Sequence, residues 1–429
     1  MNKPIHRWSA REIAQAVARR ELSAVAVVRA LLERVFEREP MVQAFAHLDP
    51  DLALAAARRV DAATDRGPLA GVPFGAKDII DTADLPTEYG TPIHAGHRPA
   101  RDAACVALSR RAGAILLGKT VTTEFANFHP GKTRNPHDPA RTPGGSSSGS
   151  GAAVGDGMVP LALGTQTTAS VIRPASFCGV FGYRPSYGDI RVAGVMEASG
   201  SLDTLGILAR SVDDIALYRE VLVGNRVPAP VAARDTPPRI GLCRTHLWSK
   251  VEPSSQALLE AAAASLARAG AAVEEVELPP QFADIAAIHR AISSYEFARN
   301  FAWEIEHHWT RISATLREGR LAAGLACTVE QYREALARAA QLRALIAPVF
   351  GRFDALLTPA VIGEAPIGLD ATGDASMCLI WTTLHGPALT LPVFTGPQRL
   401  PVGAQLVAAP GQDRALFATA DWVYRRLTS

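Results

Sequence analysis

The chain has 429 residues, of which 48% are hydrophobic, so it is long enough to bury a large core. Its 44 basic and 42 acidic residues give a formal net charge of +2, with no basic stripe or acidic tail. This balance argues against a nucleic-acid partner or a membrane surface, and no apolar run reaches the roughly 18–20 residues that span a bilayer.

The first segment, residues 1–68, is predicted to be helical and to pack on the core. Ser9 followed by Glu12 forms a capping box that starts one helix. Ser23 begins a second, amphipathic helix, and an Ala-rich third helix covers residues 52–63. An Asp-Arg-Gly-Pro turn then ends the segment.

Residues 69–225 are predicted to form the central part of the fold, because short apolar runs alternate there with helical and glycine-rich stretches. The runs at 113–118 and 158–164 are typical of buried strands. Such alternation favours an α/β sheet covered by helices. The proline-rich stretch 224–239 is predicted to be a connection over the surface.

Residues 240–429 are predicted to complete the same fold, ending in a helix that begins at Asp413. The apolar patterns before that helix divide into strands and helices by their length and periodicity. The predicted strands are 240–243, 272–278, 354–359, 387–392 and 405–408, and the predicted helices are 254–269, 281–317 and 328–350.

A serine- and glycine-rich stretch at 144–151 reads Gly-Gly-Ser-Ser-Ser-Gly-Ser-Gly. Such a composition is common in flexible linkers, but this stretch lies between Pro143 and the largely apolar run 152–163. Glycine allows close backbone approach, so the loop is suited to directing hydroxyls and amides into a core. Residues 164–174 then place small polar residues after a predicted strand, where open α/β sheets carry their sites.

Lys77 follows the apolar run 71–76. A lysine in that position is predicted to lose most of its hydration, which lowers its pKa and makes it a usable base. Considered alone, an exposed lysine just beyond a strand is the commoner alternative.

Together these segments resemble the amidase signature family. The serine-rich loop at 144–151 is followed by a Gly-Thr-x-Thr-Gly-Gly-Ser-like run at 164–170 and by Pro-Ala and Cys-Gly at 174–179. Residues 71–78 match the family's lysine segment, and 401–407 match its C-terminal Pro-Val-Gly-x-Gln strand. The resemblance implies one large α/β amidase-signature fold, with a mixed central β-sheet covered by helices on both faces.

The same resemblance implies a serine amidohydrolase that needs no cofactor. Ser170 would be the nucleophile, Ser146 the proton shuttle and Lys77 the base, with the Gly145–Ser146 peptide bond in cis. Neutral Lys77 would take a proton from Ser146 while Ser146 takes one from Ser170. An acyl-enzyme would form and water would release the acid.

Backbone N–H groups of Thr167, Thr168 and Ala169 would form the oxyanion hole, and Ser147 and Thr165 would be supporting hydroxyls. Here the chain departs from the family, which usually has Gly-Gly where this sequence has Thr168-Ala169. If either position needs a positive φ, a side chain there would be strained and the hole damaged.

Within the family, the chain is most similar to malonamidases, because Arg173 lies three residues after Ser170 rather than two. By that resemblance, Arg173 would bind a substrate carboxylate, for which the planar guanidinium is suited. The alternative is a buried structural arginine paired with a carboxylate of the protein.

The predicted function is hydrolysis of a small carboxamide that bears a carboxylate, similar to malonamate, by a cytoplasmic enzyme for which a homodimer is one option. The charge balance gives no reason to expect a nucleic-acid partner or a membrane. No metal is expected, because the five cysteines are scattered and Glu304 and His308 lack a third ligand. Two alternatives stay open: the amidase subunit of a tRNA-dependent amidotransferase, and a protein of low or no activity because of Thr168-Ala169.

Overall fold

The computed structural model describes residues 3–225 and 227–428. The residues outside these ranges are Met1, Asn2 and Ser429 at the termini and Arg226, which belongs to the predicted surface connection. Within these ranges one 11-stranded sheet organises the chain, with the strand order β1-β3-β2-β4-β6-β5-β10-β11-β9-β7-β8. The strands are β1 Phe45–Leu48, β2 Pro73–Lys77, β3 Ile115–Thr120, β4 Leu161–Gln166, β5 Phe181–Arg184, β6 Thr204–Ala209, β7 Arg239–Cys243, β8 Ala272–Val276, β9 Ala355–Pro359, β10 Ala388–Thr395 and β11 Pro401–Val407.

The sheet is mixed, as predicted. β2 pairs in parallel with β3 and β4, and β7 pairs in parallel with β8 and β9. The strands between these two groups are antiparallel, and so is β1 at the edge. Strands from all three predicted segments therefore share one sheet, which confirms the single α/β fold.

Helices cover the sheet and bury two large apolar clusters against it. They are α1 Ala10–Ala18, α2 Ala24–Val42, α3 Pro50–Ala62, α4 Ala104–Arg111, α5 Ser148–Gly155, α6 Ile172–Cys178, α7 Val212–Leu222, α8 Pro253–Arg268, α9 Ile285–Asn300, α10 Ala302–His308, α11 Ala314–Leu316, α12 Ala322–Ala326, α13 Val329–Arg352, α14 Ser376–Thr383 and α15 Asp413–Thr428. In the part of the chain described, none of these helices has both the length and the apolar character needed to cross a bilayer.

The N-terminal segment follows the predicted helical pattern with one difference. Ser9 accepts a hydrogen bond from the Glu12 N–H, while the Glu12 carboxylate accepts one from the Ser9 N–H, so the capping box forms. Ser23 caps α2 through its hydroxyl, which accepts a hydrogen bond from the Ala26 N–H. The segment is not wholly helical, however, because the four residues of β1 add an antiparallel edge strand beside β3.

The prediction of one continuous helix over 281–317 was wrong. The structure divides it into α9, α10 and α11, and continues it through a π-helical turn, Arg317–Leu321, into α12. The described part of the 224–239 connection is largely exposed, as predicted.

Candidate active site

Lys77 is the last residue of β2 and is fully buried, with 0% of its surface exposed. Its Nζ donates hydrogen bonds to Ser146 Oγ at 2.6 Å and to Thr165 Oγ1 at 2.8 Å. Burial lowers the pKa of Lys77 to about 7, although the Asp203 carboxylate acts in the opposite direction. Within the described residues no carboxylate lies within 4.0 Å of this amine. Near pH 7 the Lys77 amine is therefore neutral in a large fraction of the molecules, and the neutral form is the one that can act as a base.

Ser146 lies in the loop before α5, and the Gly145–Ser146 peptide bond is cis. The loop is tightly enclosed, which explains its paired glycines. A Cβ on Gly145 would lie 2.7 Å from Thr372 Cγ2, and Gly144 has a φ of +81° that suits glycine. The Ser146 carbonyl accepts a hydrogen bond from the Thr123 N–H at 3.3 Å.

Ser170 lies in the loop between β4 and α6 and keeps 8% of its surface exposed. Its carbonyl oxygen accepts a hydrogen bond from the Ser147 N–H at 3.3 Å, which ties the two loops together. Among the described residues its hydroxyl has no hydrogen-bond partner. In particular, it makes no hydrogen bond to the Ser146 hydroxyl. The structure thus joins Lys77 to Ser146 and places Ser170 on the adjoining loop, without a hydrogen bond between the two serine hydroxyls.

The residues predicted for the oxyanion hole, Thr167 to Ala169, form the start of the same loop. In residues 3–225 and 227–428, none of the backbone N–H groups of residues 167–170 donates to a protein acceptor. The next two N–H groups, of Val171 and Ile172, are bound by Gln166 Oε1 at 3.0 and 3.1 Å. Four consecutive donors are therefore free to bind an oxyanion.

Neither Thr168 nor Ala169 has a positive φ. Any residue type can adopt the backbone conformation at these two positions. The replacement of Gly-Gly by Thr-Ala therefore forces neither residue into the left-handed region. The conformational reason for expecting a damaged hole is thereby removed.

Three residues that the sequence analysis missed hold this loop from outside. The Thr167 hydroxyl donates to Asp203 Oδ1 at 2.5 Å, and the Thr382 hydroxyl donates to the Thr168 carbonyl at 2.9 Å. His289 Nε2 lies 3.0 Å from the Thr167 carbonyl and acts as the donor there. They come from distant parts of the chain, and no local motif marks them.

Burial shifts the pKa values of two of these groups in opposite directions. It raises the pKa of Asp203 to about 6, against hydrogen bonds from Ser199, Thr167 and Ala198 that favour the carboxylate. It lowers the pKa of His289 to about 4, so the imidazole is neutral at physiological pH.

The two predicted supporting hydroxyls lie close to Lys77. Thr165 contacts Lys77 directly through its hydroxyl. Ser147 Oγ donates to the Thr165 carbonyl and accepts from the Thr165 N–H, both at 3.3 Å. Together they fix the end of β4 against the Ser146 loop.

Arg173 is buried, with 3% of its surface exposed. Its Nη1 donates to the Gly373 carbonyl at 2.5 Å and its Nη2 to the Gly145 carbonyl at 2.6 Å, while Nε has no partner. Within the described residues no carboxylate pairs with it at 4.0 Å or less. Burial lowers the pKa of Arg173 to about 10, which leaves it charged at neutral pH. It therefore secures the loop that precedes Ser146.

A cavity of about 580 Å³ adjoins the 167–170 loop at Thr168. Its lining combines apolar side chains with a small number of polar ones, as ligand pockets do. The residues around it include Phe128, Thr168, His289, Arg320, Ser376 and Leu379.

One group of described residues offers metal-ligand atoms, His47, Asp78 and Glu88, which lie within 4.8 Å of one another. The Lys119 ammonium is 3.0 Å from Asp78, and His47 is 3.0 Å from Glu88. This group is an ion-pair cluster that includes a second buried lysine, and it carries no metal assignment.

Comparison with known proteins places this geometry in a family. The Amidase family profile matches residues 26–417. A glutamyl-tRNA(Gln) amidotransferase subunit from Chloroflexus aggregans is 35% identical, over 96% of this chain and 95% of that protein. The 2-amino-5-chloromuconic acid deaminase of Comamonas testosteroni is 34% identical, over 95% of this chain and 94% of that protein.

Solved structures show the same fold. Peptide amidase from Stenotrophomonas maltophilia superposes with a TM-score of 0.85 at 30% identity, over 99% of this chain and 98% of that one. A 6-aminohexanoate cyclic dimer hydrolase superposes with a TM-score of 0.87 at 26% identity, over 100% and 98% of the two chains. None of these four proteins is a malonamidase, so that finer resemblance stays a prediction. The chain belongs to the Amidase family and is an amide hydrolase.

Proposed function

We propose that this enzyme hydrolyses a small carboxamide to an acid and ammonia through an acyl-enzyme on Ser170. The observation that carries the proposal is the buried Lys77 amine, whose pKa is lowered to about 7 and which lies 2.6 Å from the Ser146 hydroxyl. A neutral amine that is hydrogen-bonded to a serine hydroxyl can act as the general base, so no histidine is needed. His289 is engaged with the Thr167 carbonyl rather than with either serine.

The reaction follows from the positions of these groups. Once substrate is bound, the Ser170 hydroxyl turns toward Ser146, which takes its proton while Ser146 passes its own proton to Lys77. Ser170 Oγ bonds to the amide carbon, and the negative oxygen is bound by the free N–H groups of residues 167–170. The proton returns through Ser146 to the amide nitrogen, the C–N bond breaks and ammonia leaves. Water then adds by the same relay and the Ser170 ester breaks to release the acid.

Two observations support a substrate that bears a carboxylate. Arg173 and Arg320 are buried cations without a carboxylate of the protein within 4.0 Å, among the residues described. The deaminase relative from Comamonas acts on a compound that its name describes as an acid. Malonamate, which carries one amide and one carboxylate, is the simplest compound of this type.

Ammonia release from malonamate, hexanamide and benzamide tests this function. We expect turnover of malonamate by the wild-type chain, and a loss of at least about 10⁴-fold in Ser170→Ala, as for other serine hydrolases that lose the nucleophile. Ser109→Ala is the matched control, because Ser109 is also buried but bonds to Tyr218. Ammonia release that survives in Ser170→Ala would overturn the proposal.

A second candidate is the amidase subunit of a tRNA-dependent amidotransferase, favoured by the 35% identity to the Chloroflexus aggregans protein. That role requires ammonia from glutamine and partner subunits. Glutamine belongs in the same assay, with and without such partner subunits. A chain that releases ammonia from glutamine only with them present would have this second role, whereas turnover of malonamate by the isolated chain supports the free-standing hydrolase.

A further inference from the structure

All four carbonyl oxygens of the 167–170 loop accept hydrogen bonds from the protein, whereas its four N–H groups donate to no acceptor in the described parts of the chain. The Ala169 carbonyl accepts from the Arg173 N–H of α6 at 2.9 Å. The Ser170 carbonyl accepts from the Ser147 N–H at 3.3 Å. Two of the four carbonyls are thus held by the backbone.

The other two carbonyls are held by side chains from helices that are distant in the sequence. The neutral His289 imidazole, on α9, donates from Nε2 to the Thr167 carbonyl at 3.0 Å. The Thr382 hydroxyl, on α14, donates to the Thr168 carbonyl at 2.9 Å. Both side chains are buried, and no backbone N–H of the described residues binds either carbonyl. The direction of each carbonyl therefore depends on one side chain.

The donor role of Thr382 is set by Gln166. Gln166 Nε2 donates to Thr382 Oγ1 at 3.1 Å, so the hydroxyl accepts there and gives its own proton to the Thr168 carbonyl. Oε1 of the same Gln166 accepts from the N–H groups of Val171 and Ile172. One buried amide therefore fixes the backbone that follows the loop and also orients the Thr382 hydroxyl.

A trans peptide unit is planar, with its carbonyl and the following N–H on opposite sides. A hydrogen bond to the Thr167 carbonyl therefore also sets the direction of the Thr168 N–H, and one to the Thr168 carbonyl sets that of the Ala169 N–H. We infer that His289 and Thr382 are positioning residues of the proposed oxyanion hole, because each holds a peptide unit that supplies one of its donors. This inference rests on the function proposed above, in which these N–H groups bind the negative oxygen.

Thr382→Val tests the inference, because valine has nearly the shape of threonine without the hydroxyl and Thr382 does not line the cavity at Thr168. On whichever of malonamate, hexanamide and benzamide the wild type hydrolyses, kcat should fall by at least about tenfold, while KM stays within about threefold. Thr382→Ser should recover most of the rate. Thr383→Val is the matched control, since the buried Thr383 hydroxyl donates to the Leu379 carbonyl of the same helix.

His289→Leu should lower kcat to a similar extent, because it removes the donor to the neighbouring carbonyl. His289→Gln should recover part of the loss, since its amide can donate to the same oxygen. His289 also lines the cavity, so KM can change for a second reason, and kcat is the quantity to compare.

The pH profile separates a misdirected N–H group from a disturbed base. Neither substitution removes a contact of Lys77 or Ser146, so the apparent pKa of kcat should stay at the wild-type value while the plateau falls. Thermal unfolding shows whether each variant is folded at the assay temperature.

Unchanged kcat in Thr382→Val and His289→Leu would overturn the positioning role, and so would an equal loss in Thr383→Val or a shifted apparent pKa. Failure of the proposed function would appear differently. In that case a fluorophosphonate probe would leave Ser170 of the wild-type chain unlabelled.

Discussion

Lys77 and Thr165, 88 residues apart in the sequence, are held with Nζ and Oγ1 2.8 Å apart. Lys77 ends β2, Thr165 lies near the end of β4, and these strands pair in parallel with Ala76 opposite Leu163. Because neighbouring parallel strands finish at the same edge of the sheet, the strand register itself brings the lysine to the serine-rich loops.

The rate is expected to follow the ionisation of Lys77. Its pKa of about 7 means that the neutral base is scarce below that value and predominates above it. Hence kcat/KM should rise about tenfold per pH unit below 7 and level off above it. A pH–rate profile checks this, and a profile that is flat between pH 5 and 9 would contradict it.

Thr165→Val should slow the reaction by roughly tenfold, because it removes one of the two hydrogen bonds that orient the Lys77 amine. The apparent pKa should also fall, since the hydroxyl that accepts from the protonated amine is lost. Thr87→Val is the matched control, because Thr87 accepts a hydrogen bond from the other buried lysine, Lys119. Equal losses in the two variants would indicate a general structural effect.

Replacing Thr168 or Ala169 by glycine should not accelerate the enzyme. Neither residue has a positive φ, so glycine relieves no strain and each change should cost about 0.5–1 kcal/mol of stability through added backbone freedom. Steady-state kinetics and thermal unfolding measure both effects. A gain in kcat of tenfold or more in either variant would show that the side chain impairs the oxyanion hole.

Asp203→Asn should reduce kcat and shift the pH profile to lower pH. The Asp203 carboxylate accepts hydrogen bonds from Thr167 Oγ1 and from the Ala198 and Ser199 N–H groups, and its charge raises the pKa of Lys77. Without that charge the lysine pKa falls. An apparent pKa that stays unchanged or rises would contradict this coupling, with Asp84→Asn, which alters a distant pair with Arg110, as the control.

Local chemistry in the sequence was sufficient for much of the fold. The Ser9 and Ser23 caps, the strand before the Ser170 loop and the closing helix from Asp413 follow from capping and periodicity. β1 could not be recognised, because four residues carry too little of an alternating pattern. The break of the 281–317 segment depends on tertiary packing, which overrides a continuous helical periodicity.

The candidate site divides in the same way. Lys77 and Ser146 were predicted because a family pattern marks them, and the structure brings them into contact. Asp203, His289 and Arg320 were missed because only the folded chain brings them to the 167–170 loop and its cavity. Their altered pKa values come from burial, which the sequence around each residue does not reveal.

Mapping the covalent adduct tests the central claim most directly. After reaction with a fluorophosphonate probe, peptide mass spectrometry should find the phosphonyl group on Ser170 alone, with labelling slowed by at least about 10³-fold in Lys77→Met because the base is absent. An adduct on another residue, or labelling of Ser170 at the wild-type rate without Lys77, would contradict the account.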